Sequence, residues 1–515
     1  MGDAGTGYVL KLSAVKVVDP EVKALAVSGS TLAATWTNTD VVSVYNSSST
    51  LLGTLTVTPD GLDATQATLS GSLTTAPSAG DVLTLKYLSA SYGLQDGTLT
   101  GRNTSIDKVC DYAVATVTVS SVNTASKTIA IVGNTATFVN QQAIVKFTLQ
   151  DSGGSAISAS EFVVQVGDNN YAVVPASASS ELYVAIPGFT STTVSLFAKV
   201  GTNWYSKERA SEVFTNSQYY TVTVRMNQTG MLPGKFTVNN NGDQVRFSQG
   251  NLRATNNTAN STTGWIWSFA GQQYDYLGTN NAPVGNNVIT EPGSVDLFGW
   301  VGEHASLAAY GINSTTNGAV DYGNTAGEAL KDDWGNLAIS NGGNTPSSGW
   351  RTLTNHYDDN FPLQQEWVHI LKRRTTGITI NETADARYTA ATINTDATSV
   401  HGYILFPDNY AGGTPGGVTW GTINAYSSWT TTCTTAGWIS LEAAGCVFLP
   451  AAGRRTNAST INYAGTSGIY WSSTSANKTS DYQKTYAQCM LFVNSAREHC
   501  WRYFGHAVRL VKDAN

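Results

Sequence analysis

From Tyr8 to Met226 the chain consists of short apolar runs separated by polar turns, and the texture of those runs restricts what it can become. Examples are YVLKLSAVKVV, VVSVY, LLGTLTV, DVLTLKYL, YAVATVTVSSV, AIVKFTL, EFVVQV, LYVAIP, TVSLFAKV and YYTVTVRM. Many of them alternate apolar with polar residues. A period of two sends successive side chains to opposite faces of a strand, so these runs read as strands with one buried face. No helical period is sustained here. Gly, Asn and Ser fill the gaps, the residues that turns favour. The stretch is expected to form two all-β sandwiches of about 100 residues each. The first takes residues 1–131 and the second 132–226, with the seam at Ile131, where TIAIVGNTATFVNQQAIVKF opens a new strand set.

At about 150 residues per domain, a chain of 515 residues has room for a third, here 227–515. The net charge of −7 argues against a nucleic-acid partner, since phosphate binding needs concentrated Lys and Arg. A charged fraction of only 13% with many hydroxyls suits an extracellular surface. No apolar run is long enough to span a bilayer as a helix. The N-terminus, MGDAGTGYVL, has no basic segment followed by an apolar one, and reads as a start Met and stub standing where a leader was removed. Outer-membrane attachment through such a lipidated leader is the corresponding expectation. Five cysteines, Cys110, Cys433, Cys446, Cys489 and Cys500, include no CxxC pair. A Cys433–Cys446 disulfide and five free thiols both stand open, and the odd count leaves at least one unpaired.

Within the β-rich half, ATWTNTDVVSVYNSS places Trp36 and Asp40 just before an alternating strand, FVNQQAIVKFTL follows a long gap, and FTNSQYYTVTVRM closes the segment. This order is similar to the fimbrillin-like family of Bacteroidales surface proteins, pilin-type proteins with two transthyretin-like β-sandwich domains. The resemblance implies a place at the cell surface or in a fimbrium, and pilin subunits as partners. It also implies assembly by strand exchange, with the first strand, around Tyr8 to Val18, as the one displaced.

From Lys235 onward Trp, Asn and Gly become dense. EWVHILKRR, acid first and base last, reads as the C-terminal half of a helix. SWTTTCTTAGWISLEAAG reads as a loop followed by a short helix or turn. The ordered blocks are GNL, W-x-F-A-x-x-Q, LFGW, WRTLT, EW, LFPD, W-x-x-LE, FLPAAG-x-R, YWSST and R-x-x-G-x-x-VRLV. They closely resemble a C-type-lectin-fold family that includes the formylglycine-generating enzymes and the variable proteins of diversity-generating retroelements. The resemblance implies an α+β lectin fold with a small irregular sheet and extensive loops.

The last stretch, Gly445 to Val511, carries the candidate site. FLPAAGRR and YWSST have the residues of a core: Phe448 and Trp471 fill space, and Arg454 and Arg509 are expected to tie loops together. Between them lies a segment whose aromatic and charged residues follow no period. Tyr482, Tyr486, Gln488, Arg497, His499, Trp501, Tyr503 and Phe504 are expected to cluster on one exposed face, because Tyr, Trp and Arg recur where proteins recognise ligands. In AQCMLF one residue set is expected inward and the alternate set outward. In the retroelement proteins this region is the variable one. Adenine-directed change of AAC-type codons reaches Tyr, His, Cys and Phe, a set that covers Tyr482, Tyr486, Cys489, His499, Cys500, Tyr503, Phe504 and His506.

No metal ligation is expected. The calcium-dependent sugar lectins use Glu-Pro-Asn and Trp-Asn-Asp triplets; the nearest strings here, Glu291-Pro292-Gly293 and Asp333-Trp334-Gly335, lack the shared oxygens. A structural Ca²⁺ near Asp332, Asp333, Asp358 or Asp359 is the weaker alternative. No cofactor motif, GxSxG, HExxH or phosphate loop occurs, so no enzymatic activity is expected. The combined reading is a surface adhesin, at a pilus tip or anchored to the outer membrane, that binds a protein or glycan ligand. The alternatives are a surface lipoprotein receptor outside any pilus, a phage-encoded variable protein and a carbohydrate-binding outer-membrane protein.

Overall fold

The computed structural model describes residues 7–16, 27–28, 31–32, 35–62, 64–88, 92–256, 265–277, 293–300, 333–346, 348–457, 460–476, 485–492 and 496–514. Eight strands between Tyr8 and Asn140 form one sheet. Its order runs Thr135–Asn140, Tyr8–Lys16, Gln66–Leu73, Leu51–Pro59, Val41–Tyr45, Val82–Tyr87, Ala113–Asn123 and Thr128–Ile131. The two ends meet. Thr135–Asn140 also pairs with Ala113–Asn123, and Thr128–Ile131 with Tyr8–Lys16, so hydrogen bonding runs round a closed wall. The alternation does what its period dictates: Leu10, Leu12 and Ala14 point inward while Val9, Lys11 and Ser13 are exposed. The inner residues converge on Trp36, whose ring meets Tyr87 and Phe138 edge to face at 5.3 and 5.2 Å. Lys16 is buried against Asp111 at 3.0 Å and lies over the Trp36 and Tyr87 rings.

The seam expected at Ile131 lies farther along. Thr135–Asn140 runs parallel to the first strand, in register from Ser13 opposite Thr135 to Lys16 opposite Phe138. Gly133 and Asn134, both with positive φ, make a turn between two strands of the same wall and mark no boundary.

Residues 143–228 form a seven-stranded arrangement that splays into two halves. Asn169–Val173, Glu161–Val166, Phe189–Val200 and Asn203–Phe214 lie in one half. Tyr219–Gln228, Ala143–Asp151 and Glu181–Ile186 lie in the other. The halves join only where Tyr205 and Ser206 meet Gln228 and Asn227. Glu161–Val166 is buried at every position, Glu161 and Gln165 included, because both faces of the strand are covered. Phe162 and Val164 enter the unit's own core, while Val163 enters a second core shared with the C-terminal residues.

Gln95, contributed by the first unit, closes this second one. Its backbone N–H donates to the Ala172 carbonyl and its carbonyl accepts from Val174, both at 2.9 Å. Its side chain then donates to the Ala185 carbonyl at 2.9 Å and accepts from the Ala185 N–H at 2.8 Å. One residue thus satisfies edge strands on both halves.

From residue 229 onward small sheets replace large ones. Gln244–Phe247 pairs with Leu510–Asp513, which brings the beginning and end of this region together. The largest sheet orders Val418–Thr419, Thr431–Thr434, Tyr388–Asn394, Ser399–Leu405 and Val447–Pro450. EWVHILKRR is helical, as an α-turn at Glu366–Val368 that passes into a π-turn at His369–Arg373. The helix Thr435–Ala443 is capped by Thr434, whose hydroxyl accepts from the Gly437 N–H at 3.1 Å. Among the described residues no helix is long and apolar enough to cross a membrane.

Replacing Gln95 by Ala strands the Ala185 N–H and C=O in a buried setting. The expected loss is about 1–3 kcal/mol in denaturant unfolding; a loss within about 0.5 kcal/mol would show that the clasp is incidental.

Candidate recognition surface

The frame of the site is built from buried backbone. Val447–Pro450 and Ile469–Ser475 are buried at every position, and Ala507 to Val511 likewise. Trp471 and Phe448 are both fully buried. The Trp471 indole donates to the Phe298 carbonyl at 2.5 Å, and the Trp300 indole to the Ser472 carbonyl at 2.9 Å. Arg509 donates to Gln273 at 2.7 Å, Arg455 to the Leu297 carbonyl at 3.0 Å, and Arg502 to the Trp300 carbonyl at 3.0 Å. Of the two arginines expected to tie loops, Arg509 does so; Arg455 and Arg502 do so as well, whereas Arg454 lies over the Tyr463 and Phe504 rings. His506 lies fully buried against Trp471, with ring centres 4.5 Å apart. Burial, then the nearby Arg454 and Arg455, push its pKa well below the usual range, so it is neutral.

On this frame sits a three-stranded sheet in the order Ile469–Ser475, Tyr486–Leu491, Glu498–Trp501. Tyr486 lies opposite Trp501, with ring centres 4.3 Å apart. Trp501 meets Tyr503 at 5.5 Å, and Tyr503 meets Phe504 at 4.9 Å. Trp501 is 37% exposed, and the other three rings are half-buried. His499 shares the Trp501 side of its strand and is half-buried too. Five of the expected residues therefore form one continuous patch.

Three do not join it. Gln488 is fully buried, and neither side-chain polar atom finds a partner among the described residues. It shares a strand face with Tyr486, but that face runs inward and ends at Met490 in the core. The alternate face carries Ala487 and Cys489 into a second core cluster. The expectation of one inward and one outward set in AQCMLF thus fails, because the strand is central and covered on both sides. Arg497 turns away toward residues 356–359, donating to the Tyr357 carbonyl at 2.8 Å and pairing with Asp359 at 3.2 Å. Tyr482 lies outside the described residues.

Cys489 and Cys500, diagonal neighbours across adjacent strands, form a disulfide over a sequence separation of 11. Cys433 and Cys446 are buried free thiols. The bridge pins the two strands that carry Tyr486 and Trp501.

Two members of the patch were not apparent in the sequence. Tyr463 is 55% exposed, and Arg454 lies over its ring at 5.1 Å and over Phe504 at 4.6 Å. The row thus continues from the strand pair onto the 454–463 hairpin. Tyr463 has φ of +64°, uncommon for a bulky residue, and that turn conformation is the signal in the backbone. In the sequence Arg454 reads as part of the buried FLPAAGRR block, and Tyr463 stands about twenty residues before the aromatic segment.

Among the described residues no group of three His, Cys, Asp or Glu is placed to hold a metal. Asp333 accepts from the Gly335 and Thr352 amides, and Asp359 pairs with Arg373 and Arg497. Asp332 lies outside the described residues.

No protein-family model matches the chain. No curated protein matches it either. Among solved structures, similarity is found to a fimbrial assembly protein from Parabacteroides distasonis. Identity is 8% over 47% of this chain and 96% of that one, at a TM-score of 0.25. A putative cell adhesion protein from Bacteroides ovatus is 13% identical over 43% of this chain and 95% of that one, at 0.24. The tip fimbrial protein Mfa3 from Porphyromonas gingivalis, with a C-terminal truncation, is 8% identical over 42% and 94%, at 0.22. Likeness at these scores assigns neither fold nor activity.

Trp501→Ala should leave unfolding free energy within about 1 kcal/mol of the parent, whereas Trp471→Ala should cost about 3–5 kcal/mol. Equal losses in guanidinium titrations would contradict the division into frame and surface. Replacing Cys489 and Cys500 together by Ser should cost about 2–4 kcal/mol, read from the same titrations.

Proposed function

We propose that the protein is a cell-surface adhesin whose C-terminal unit, of C-type-lectin type, binds a protein or glycan ligand through the aromatic patch. The two β-rich units act as a fimbrillin-like stalk that carries this head, at a pilus tip or on a surface anchor. The observation that carries the reading is the row Tyr486, Trp501, Tyr503, Phe504, Arg454 and Tyr463, with its rings in mutual contact over a frame buried throughout. Exposed aromatics lower solubility, and a contiguous run of them is a feature of interaction sites. Tyr and Trp present large rigid contact areas at small entropic cost, and Arg adds a planar cation. The resemblance to retroelement variable proteins accounts for the same pattern: side chains free to change on a backbone held fixed.

The test is adherence. Fluorescently labelled full-length chain is titrated onto a panel of bacterial and epithelial cells and onto a glycan array, beside the Trp501→Ala/Tyr503→Ala double variant. The variant should lose binding by several hundredfold, about two to three powers of ten, since each anchor is expected to contribute roughly 2 kcal/mol, while its circular dichroism and Tm stay unchanged. Equal binding by a folded variant would remove the patch from the binding site.

A further inference from the structure

The joint between the second β unit and the C-terminal unit holds a charge arrangement that the recognition surface does not use. Glu161 and Lys199 are paired positions on adjacent strands of the β unit. Glu442 is on the helix Thr435–Ala443 of the C-terminal unit. Lys199 Nζ is 3.0 Å from Glu161 Oε1 and also donates to Glu442 Oε2. The three side chains are at most 6% exposed. Lys199 reaches Gln272 at 3.2 Å, and Gln273 donates to Glu442 Oε1 at 2.8 Å. Glu161 Oε2 has no partner among the described residues.

Charge counting makes this site unusual. One ammonium in direct contact faces two carboxylates. With both ionised, the cluster carries an uncompensated negative charge in a buried place, where desolvation is expensive. The other titratable and charged groups facing it are few. Tyr274 and Asp275 come from the segment after Gly271. Arg509 approaches only through Gln273, to which it donates at 2.7 Å. A carboxylate oxygen that meets no donor, buried beside a second carboxylate, is where a proton is held most cheaply.

We propose that Glu161 holds a proton beside Glu442 and Lys199, and that this proton locks the C-terminal unit onto the second β unit as a pH-sensitive joint. Burial, then the charge of Glu442, outweigh Lys199 and push the Glu161 pKa up from its ordinary 4.5 to about 8. When the surfaces separate, Glu161 meets water and returns to its ordinary value. The closed joint therefore takes up a proton throughout the window between. Its contribution to the closing equilibrium constant is complete below about pH 4.5, falls by about tenfold per pH unit through the window, and is lost once pH passes about 8. The recognition surface is carried rigidly on the stalk in mildly acidic surroundings and more loosely in alkaline ones.

Hydrogen exchange on the full chain tests this at about pH 6 and about pH 9, after correction for intrinsic rates. Strand 161–166 and helix 435–443 should lose protection at least about tenfold at the higher pH, while strand 51–59 of the first unit serves as an unchanged reference. Glu161→Gln, which keeps the neutral shape, should hold protection at both pH values. Equal protection of the parent at both, or a variant that loses protection as the parent does, would overturn the proposal. A readout that needs no hydrogen exchange is infrared difference spectroscopy of the parent between the same two conditions. The carbonyl band of a buried carboxylic acid should be present at the lower pH and absent at the higher. If no such band exists, Glu161 holds no proton.

Discussion

The C-terminal unit and the second β unit share one core, and the rest of the molecule is arranged around that fact. Val163, Phe197 and Trp204 belong to the β unit, yet they pack in the same cluster as Phe247, Trp367, Tyr470 and Met490. The Trp204 N–H donates to Gln249 at 2.9 Å, and Gln165 donates to the Pro233 carbonyl at 3.3 Å. Burial of apolar side chains drives this joint. Because Tyr470 and Met490 are part of that cluster, the strands beneath the aromatic patch are tied directly to the second β unit. Gln95 does the equivalent at the other seam. The three units are therefore clasped in series, each by residues reaching across.

Rigidity has a consequence for recognition. A binding site on loops alone would pay an ordering entropy each time it closed on a ligand. Here Tyr486 and Trp501 stand on paired strands, and a disulfide pins those strands together. Ser472 donates to the Gln488 carbonyl at 2.9 Å, and Asn355 to the carbonyls of Cys489 and Ala496 at 3.2 and 3.1 Å. Backbone positions are thus held by buried groups that owe nothing to the identity of the exposed rings. Exchange of those side chains is therefore expected to leave the backbone in place.

Much of this was legible in the sequence, and the failures have physical causes. Period-two alternation located strands because burial of one face is a local property. Sheet membership is not local, so the strand Thr135–Asn140 was assigned to the wrong unit. The blocks FLPAAG, YWSST and VRLV were legible as core because nothing else explains runs of large apolar residues beside arginines. The aromatic residues of the C-terminal segment were legible as surface because they follow no period. Gln488 was misread since a central strand can carry one face from solvent into the core within a few residues. The Cys489–Cys500 bridge and the part played by Tyr463 depend on which strands become neighbours, and spacing along the chain is silent on that.

A substitution scan of residues 486–504, read by surface display of folded protein, separates a fixed frame from the chemically free surface it carries. Positions 486, 499, 501, 503 and 504 should accept nearly every amino acid without loss of folded display. Ala487, Cys489, Cys500 and Arg502, buried within the same stretch, should accept very few. If the aromatic positions prove as intolerant as the buried ones, their rings belong to the core, and the recognition surface does not exist.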